Sequence, residues 1–178
     1  MTITDTGFEG LKLFEPRIFR DQRGYFFESF RQEHFASLDL HHVFVQDNQS
    51  RSTYGVIRGL HFQKDPFAQT KLIRVLEGSI FDVVVDLRMD SSTYGDWYGV
   101  EISDKNLHQL LIPKGFAHGF SVLSEHATIF YKCDDYYNAE SEAGIRFDDP
   151  DLKIDWKLDL NSAVISDKDK NLPYLKDL

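Results

Sequence analysis

Cysteine is almost missing from this chain: Cys133 is the only one in 178 residues, so no internal disulfide can form and no Cys-rich metal cluster exists. A reducing compartment suits it. Positive charge is also scarce, with 20 Lys and Arg against 29 Asp and Glu and a net charge of -9. A protein that grips a phosphate backbone needs a basic surface to release counterions, so no nucleic acid is expected as a partner. A few inward Arg and Lys side chains can still hold one diphosphate, which leaves a nucleotide ligand open. Nowhere do 18 apolar residues follow one another, and Met1 to Gly10 lacks the basic start and apolar run of a signal peptide. The expectation is a cytoplasmic protein with no membrane partner.

What the chain does have is apolar and aromatic material, 15 Phe and 8 Tyr among it, enough for a core and far from the compositions that stay disordered. Short runs of Val, Ile, Phe and Tyr recur about every ten residues between Gly, Pro, Asp or Ser, the rhythm of an antiparallel sandwich or barrel. Strands are predicted at Leu11 to Glu15, Tyr25 to Ser29, Val43 to Ser50, Val56 to Gln63, Lys71 to Leu76 and Ser79 to Leu87. Four more follow at Trp97 to Ile102, Gln109 to Ile112, Gly119 to Val122 and Thr128 to Cys133. Glu77-Gly78 breaks two apolar runs as a tight hairpin does. One short helix is predicted at Arg31 to Leu38, with Ser29 as its cap. The acidic tail beyond Asp148 offers Ile154 and Trp156 as anchors onto the barrel. With no repeat or linker in view, the economical reading is one all-β domain over 1–178, with an N-terminal extension to about residue 50 and a C-terminal tail from about 148.

Pro113-Lys114-Gly115-Phe116-Ala117-His118 has the Pro-x-Gly-x-x-His form that sets a histidine in the lumen of cupin barrels. Metal-binding cupins pair it with His-x-His and a nearby Glu, because a divalent ion needs three or four converging ligands. This chain offers His61-Phe62-Gln63, with Phe67 and Ala68 where the Glu would stand, so no metal is expected. His118 reads equally as a satisfied core histidine. His61 sits on a strand where alternation puts Ile57, Gly59, His61 and Gln63 on one face. The same alternation puts Arg58 on the other face, unless Gly59 marks a bulge or Arg58 lies at the barrel mouth.

Several motifs point one way together: Asp21-Gln22-Arg23-Gly24-Tyr25-Phe26-Phe27-Glu28, Gln46-Asp47-Asn48-Gln49-Ser50, Arg58-Gly59-Leu60-His61-Phe62-Gln63, Lys71-Leu72-Ile73-Arg74-Val75, Pro113 to Phe120, and Tyr131-Lys132-Cys133. In order, and over nearly the whole chain from about Phe8 to Pro173, they closely resemble the dTDP-4-dehydrorhamnose 3,5-epimerases. That resemblance implies a double-stranded β-helix, a cupin-like jelly-roll barrel with a few short helices. It also implies a homodimer acting on dTDP-4-dehydro-6-deoxy-D-glucose without a cofactor.

Carried over position by position, His61 would be the proton acceptor with Asp169 as its partner, Tyr131 the proton donor, and Lys71 the neighbour of the carbonyl oxygen. Substrate would be held by Arg23, Glu28, Gln46, Asp47, Asn48, Arg58, Lys71, His118, Glu142 and Lys168. Glu140 rivals Glu142, and Asp167 rivals Asp169, because both lie in polar stretches where a one-residue gap renames the contact. By themselves Lys71 reads as a strand-edge lysine, Tyr131 as a core-edge tyrosine and Asp167 to Lys170 as a solvated charge run.

The chemistry explains why these types belong together. A 4-keto sugar has acidified C–H bonds at C3 and C5, and losing either proton puts charge on the C4 oxygen. An imidazole, with an ordinary pKa of about 6.5, suits the base, and a carboxylate behind it orients it. An ammonium suits the oxyanion, and a phenol, with an ordinary pKa of about 10, stays protonated to return a proton. Arg23, Arg58, Phe26 and Tyr137 are candidates for gripping the nucleotide.

Overall fold

The computed structural model describes residues 1–178. In chain order its elements are β1 (Thr2–Asp5), β2 (Lys12–Glu15), β3 (Phe19–Asp21), β4 (Gly24–Phe26), α1 (Gln32–Ala36), β5 (Gln46–Thr53), β6 (Ile57–Gln63), β7 (Lys71–Glu77) and β8 (Ser79–Asp86). Then come β9 (Trp97–Ser103), β10 (Gln109–Ile112), β11 (Phe116–Val122), β12 (His126–Cys133), β13 (Glu142–Gly144) and α2 (Asp167–Lys170), with a last 3-10 turn at Leu175–Asp177.

Two antiparallel sheets carry the fold: β1-β2-β10-β7-β12-β5 faces β13-β6-β11-β8-β9, while β3 and β4 form a separate hairpin. This is the jelly roll of the cupin-like double-stranded β-helix. Between the sheets, alternate residues such as Ile73, Val75, Ile80, Val84 and Ile129 interdigitate. β8 is buried along almost its whole length because its other face, Phe81, Val83 and Val85, is roofed by Ile145, Phe147 and Trp156 of the tail. An unbroken apolar strand is the sequence signature of burial on both faces. Trp156 is sealed in, its indole N–H donating to the Phe147 carbonyl at 2.7 Å while its own carbonyl accepts from Ser121 at 2.6 Å. Leaving that indole unpaired would cost about 1–3 kcal/mol.

The predicted strands appear with shifted ends. β5 begins at Gln46, since Val43 and Val45 are exposed and add to no core. β4 stops at Phe26, two residues before Glu28, and its partner β3 was not predicted. β1, β3 and β13 are too short and too polar for periodicity to reveal them. The short helix is Gln32–Ala36, and Ser29 does not cap it: its N-cap is Arg31, without a side-chain bond, while the Ser29 carbonyl accepts from Gln109. β2 is flanked within its own chain by β1 and β10.

Candidate active site

The geometry of the site starts at Gly59. β6 and β11 pair His61 with His118 and Arg58 with Phe120, so two residues of β6, Gly59 and Leu60, stand opposite one of β11, Gly119, the mark of a bulge. Gly59 takes φ +113, a conformation side chains rarely adopt, and a Cβ there would stand 2.6 Å from the Gly119 Cα. The extra residue breaks strict alternation. Ile57 and Leu60 turn together into the layer under the tail, and Arg58 and His61 both line one cavity of about 540 Å³. Ile57, expected on the face of His61, lines the same cavity and also packs with Leu60 under the tail, while the bulge brings Arg58 to that cavity against strict alternation. The guanidinium of Arg58 is steadied by an Nε–H bond to the Ser52 hydroxyl at 2.9 Å.

His61 meets Asp169 from α2. The imidazole Nε2 lies 2.8 Å from Oδ1, and the other carboxylate oxygen accepts the Gly59 N–H at 3.1 Å. Ser166 caps the helix by accepting the Asp169 N–H at 3.1 Å. Asp169 is 3% exposed, and desolvation opposes its charge. His61, the Gly59 N–H and Ser166 overcome that penalty and hold its pKa below the usual carboxylate range. The run Asp167 to Lys170 is thus one capped turn that keeps three charges in solvent and turns the fourth, Asp169, toward the cavity. Asp167, the rival in register, is exposed and leans toward Lys170.

On the facing sheet, Lys71 of β7 and Tyr131 of β12 line the same cavity, the ammonium 6.0 Å from the ring centroid. Burial pushes the Lys71 pKa down, against the attraction of Cys133, Asp82 and Glu142. Burial pushes the Tyr131 pKa up, so its hydroxyl keeps its proton, while Arg58 and Asn48 pull the other way. His118 also lines the cavity, and its Nε2 sits 3.0 and 2.9 Å from the two oxygens of Asp82, which is wholly buried. Sequence reasoning missed Asp82. Its signal is a carboxylate inside the apolar run Ile80-Phe81-Asp82-Val83-Val84, a place where an unpaired charge would be very costly.

The rim is built from Glu142, whose carboxylate accepts from Lys168 at 2.6 Å and from the Tyr137 hydroxyl at 2.8 Å. Burial works against the charge on Glu142, and those two donors nonetheless hold its pKa low. Glu140, its rival in register, is exposed. Along β5, Gln46, Asn48 and Ser50 point inward, and Gln46 donates to Asn48 at 3.2 Å and accepts the Tyr137 N–H at 3.0 Å. Asp47 alternates outward and pairs with Lys132 at 3.0 Å, apart from the cavity. Arg23 and Glu28 are also apart from it. Arg23 stands 85% exposed at the tip of the β3–β4 hairpin, bonded to Asp21, and Glu28 pairs with Arg31.

Gln63, where a metal cupin carries a second His, spends its amide on the backbone at Phe67, Tyr136 and Asn138. No group of three or more His, Cys, Asp or Glu gathers as a metal site would require.

Comparison with known proteins shows the family and the fold. A family model described as dTDP-4-dehydrorhamnose 3,5-epimerase matches residues 5–177. The dTDP-4-dehydrorhamnose 3,5-epimerase of Methanothermobacter thermautotrophicus is 48% identical over 173 residues, 97% of this chain and 93% of that protein. The crystal structure of the enzyme of that name from Elizabethkingia anophelis superposes with a TM-score of 0.96 at 49% identity, covering 99% of this chain and 97% of the other. A dTDP-6-deoxy-D-glucose-3,5-epimerase from Legionella pneumophila, solved in complex with dTDP-4-keto-L-rhamnose, gives a TM-score of 0.94 at 48% identity, covering 98% and 93%. With a full-length family match, close relatives and one shared fold, the chain belongs to the dTDP-4-dehydrorhamnose 3,5-epimerase family.

Proposed function

We propose that the chain epimerises dTDP-4-dehydro-6-deoxy-D-glucose at C3 and C5, giving dTDP-4-dehydro-L-rhamnose for dTDP-L-rhamnose biosynthesis. The observation that carries the reading is His61 bonded at 2.8 Å to a buried carboxylate, on the sheet facing Lys71 and Tyr131. With Nε2–H donating to Asp169, the neutral ring keeps its lone pair on Nδ1, which takes the proton from carbon. Asp169 balances the imidazolium that results. The electron pair left behind moves onto the C4 oxygen, where the Lys71 ammonium donates to the enolate in a water-poor lumen. Tyr131 then returns a proton from the other side, and solvent restores both side chains. Running the cycle at each carbon flanking the ketone inverts both.

The nucleotide supplies binding energy away from the reacting carbons. Arg58 at the bulge, His118 inside, Gln46 and Asn48 on β5, and Glu142 with Lys168 at the rim are its proposed contacts. Arg23, Glu28 and the backbone at Asp47 join them in a homodimer. The hairpin leaves Phe19, Tyr25 and Phe26 exposed, and a second copy gives those rings and Arg23 something to cover. All of residues 1–178 act as one working unit in this reading, because the tail supplies Asp169. The reaction is read by incubating the protein with the 4-keto sugar nucleotide in deuterated water and following C3 and C5 by NMR. Deuterium at both carbons is expected; deuterium at one alone would make this a single-site epimerase, and none would defeat the proposal.

A further inference from the structure

Between β12 and β13, residues 134–138 form neither helix nor strand, yet they carry Tyr137 to the rim. Side chains tether this segment by its backbone. Gln63 does most: its amide N–H groups donate to the carbonyls of Phe67 at 2.6 Å and Tyr136 at 3.3 Å, and its oxygen accepts the Asn138 N–H at 2.7 Å. Gln69 adds a bond to the Asp135 carbonyl at 2.7 Å, and the Asp134 carboxylate accepts the Thr70 N–H at 2.6 Å. Gln63 is buried and opposite Glu142 in the β6–β13 register, so it fixes the loop from beneath while Tyr137 reaches over to bond Glu142. Its side-chain hydrogen bonds all go to that loop and to Phe67, none to the proton-transfer group.

We propose that Gln63 is a positioning residue for the nucleotide half of the substrate: it sets the Tyr137–Glu142–Lys168 rim, and so governs affinity without entering the chemistry. The proposal rests on the epimerase reading above. A loop held by its backbone is ordered before substrate arrives, whereas a loop freed from Gln63 must be ordered at each binding event, and that cost appears in affinity.

Gln63→Met keeps the length and volume of the side chain and removes all three bonds. Expected is a KM about tenfold higher, the scale typical of lost supporting hydrogen bonds, with kcat within about twofold. The Kd for dTDP, measured by calorimetry, should weaken by the same factor as KM. A fall in kcat equal to the fall in kcat/KM, or an unchanged KM and Kd, would overturn the assignment. Should Gln63→Met fail to fold, Gln69→Leu cuts a half-buried tether of the same loop and must show the same split at smaller size; an unchanged KM and Kd there would overturn it equally. Calorimetry reads the rim whether or not the sugar turns over. A wild-type protein that bound dTDP without exchanging the sugar would sink the epimerase reading and leave the Gln63 result standing.

Discussion

His61 and Asp169 lie 108 positions apart in the chain and 2.8 Å apart in the fold, and the same carboxylate also holds the N–H of Gly59. One buried side chain therefore orients the imidazole and pins the bulge that turns Arg58 toward the same cavity.

Replacing either member should separate base from support. His61→Ala is expected to abolish deuterium uptake at both carbons, a loss of about 10²–10⁴ in kcat. Asp169→Asn, which keeps the shape but loses the charge behind the ring, should cost roughly 10²-fold in kcat with a smaller change in KM. An Asp169→Asn enzyme at wild-type kcat would refute the pairing.

The carboxylate also makes an acid-stability prediction. The Asp169 pKa is lowered in the folded state, so its contribution to stability is present above the ordinary carboxylate pKa and is lost as pH falls through the folded value. Melting temperatures of wild type and Asp169→Asn should differ most near neutrality and converge toward strong acid. A gap that widens on acidification would contradict the sign.

Lys71 runs the other way. Its pKa is lowered by burial, so holding it protonated costs stability in full below the folded value and is relieved as pH rises toward the ordinary lysine value. Lys71→Met should raise the melting temperature at neutral pH and cut kcat by about 10²–10³, as loss of an oxyanion donor does. A variant that melts lower and works as well would reverse both halves.

On the proposed roles, Tyr131→Phe removes the proton donor and leaves the base in place. Exchange should persist while inverted product nearly disappears, which NMR separates in one sample. Full conversion by this variant would point to another donor.

Gly59 and Gly119 sit back to back: a Cβ on Gly59 would stand 2.6 Å from the Gly119 Cα, and one on Gly119 would stand 2.6 Å from the Arg58 carbonyl oxygen. Gly59→Ala, strained by both φ and contact, should destabilise by at least about 2 kcal/mol in urea and raise KM through misplacement of Arg58. Unchanged stability would remove the bulge from the account.

Much of the barrel was legible because apolar runs, alternating or unbroken, and the turn residues between them survive in the strands from β6 through β12. The motif-bearing positions His61, Lys71, His118 and Tyr131 were legible through resemblance and converge on one cavity. Gly59 was legible from conflict, since alternation forbade Arg58 and His61 to share a face and a glycine stood between them. Other features had no local signal. Asp169 lies in a single helical turn whose charges mimic a solvated run, and only its distant partner explains it. Asp82 hides in an apolar strand because its compensation, His118, comes from a neighbouring strand. Arg23 and Glu28 carry family motifs yet stand outside the cavity of one chain, where nothing local says what they meet.

A protein is made from its N-terminus onward. All the paired strands of both sheets precede Ser166 in that order, while the carboxylate behind His61 comes later, on a turn capped by Ser166. A chain cut short just before that serine would hold every sheet and no counter-charge for its base. On the proposed roles, the imidazole gains its partner carboxylate only after the strands of both sheets have been made.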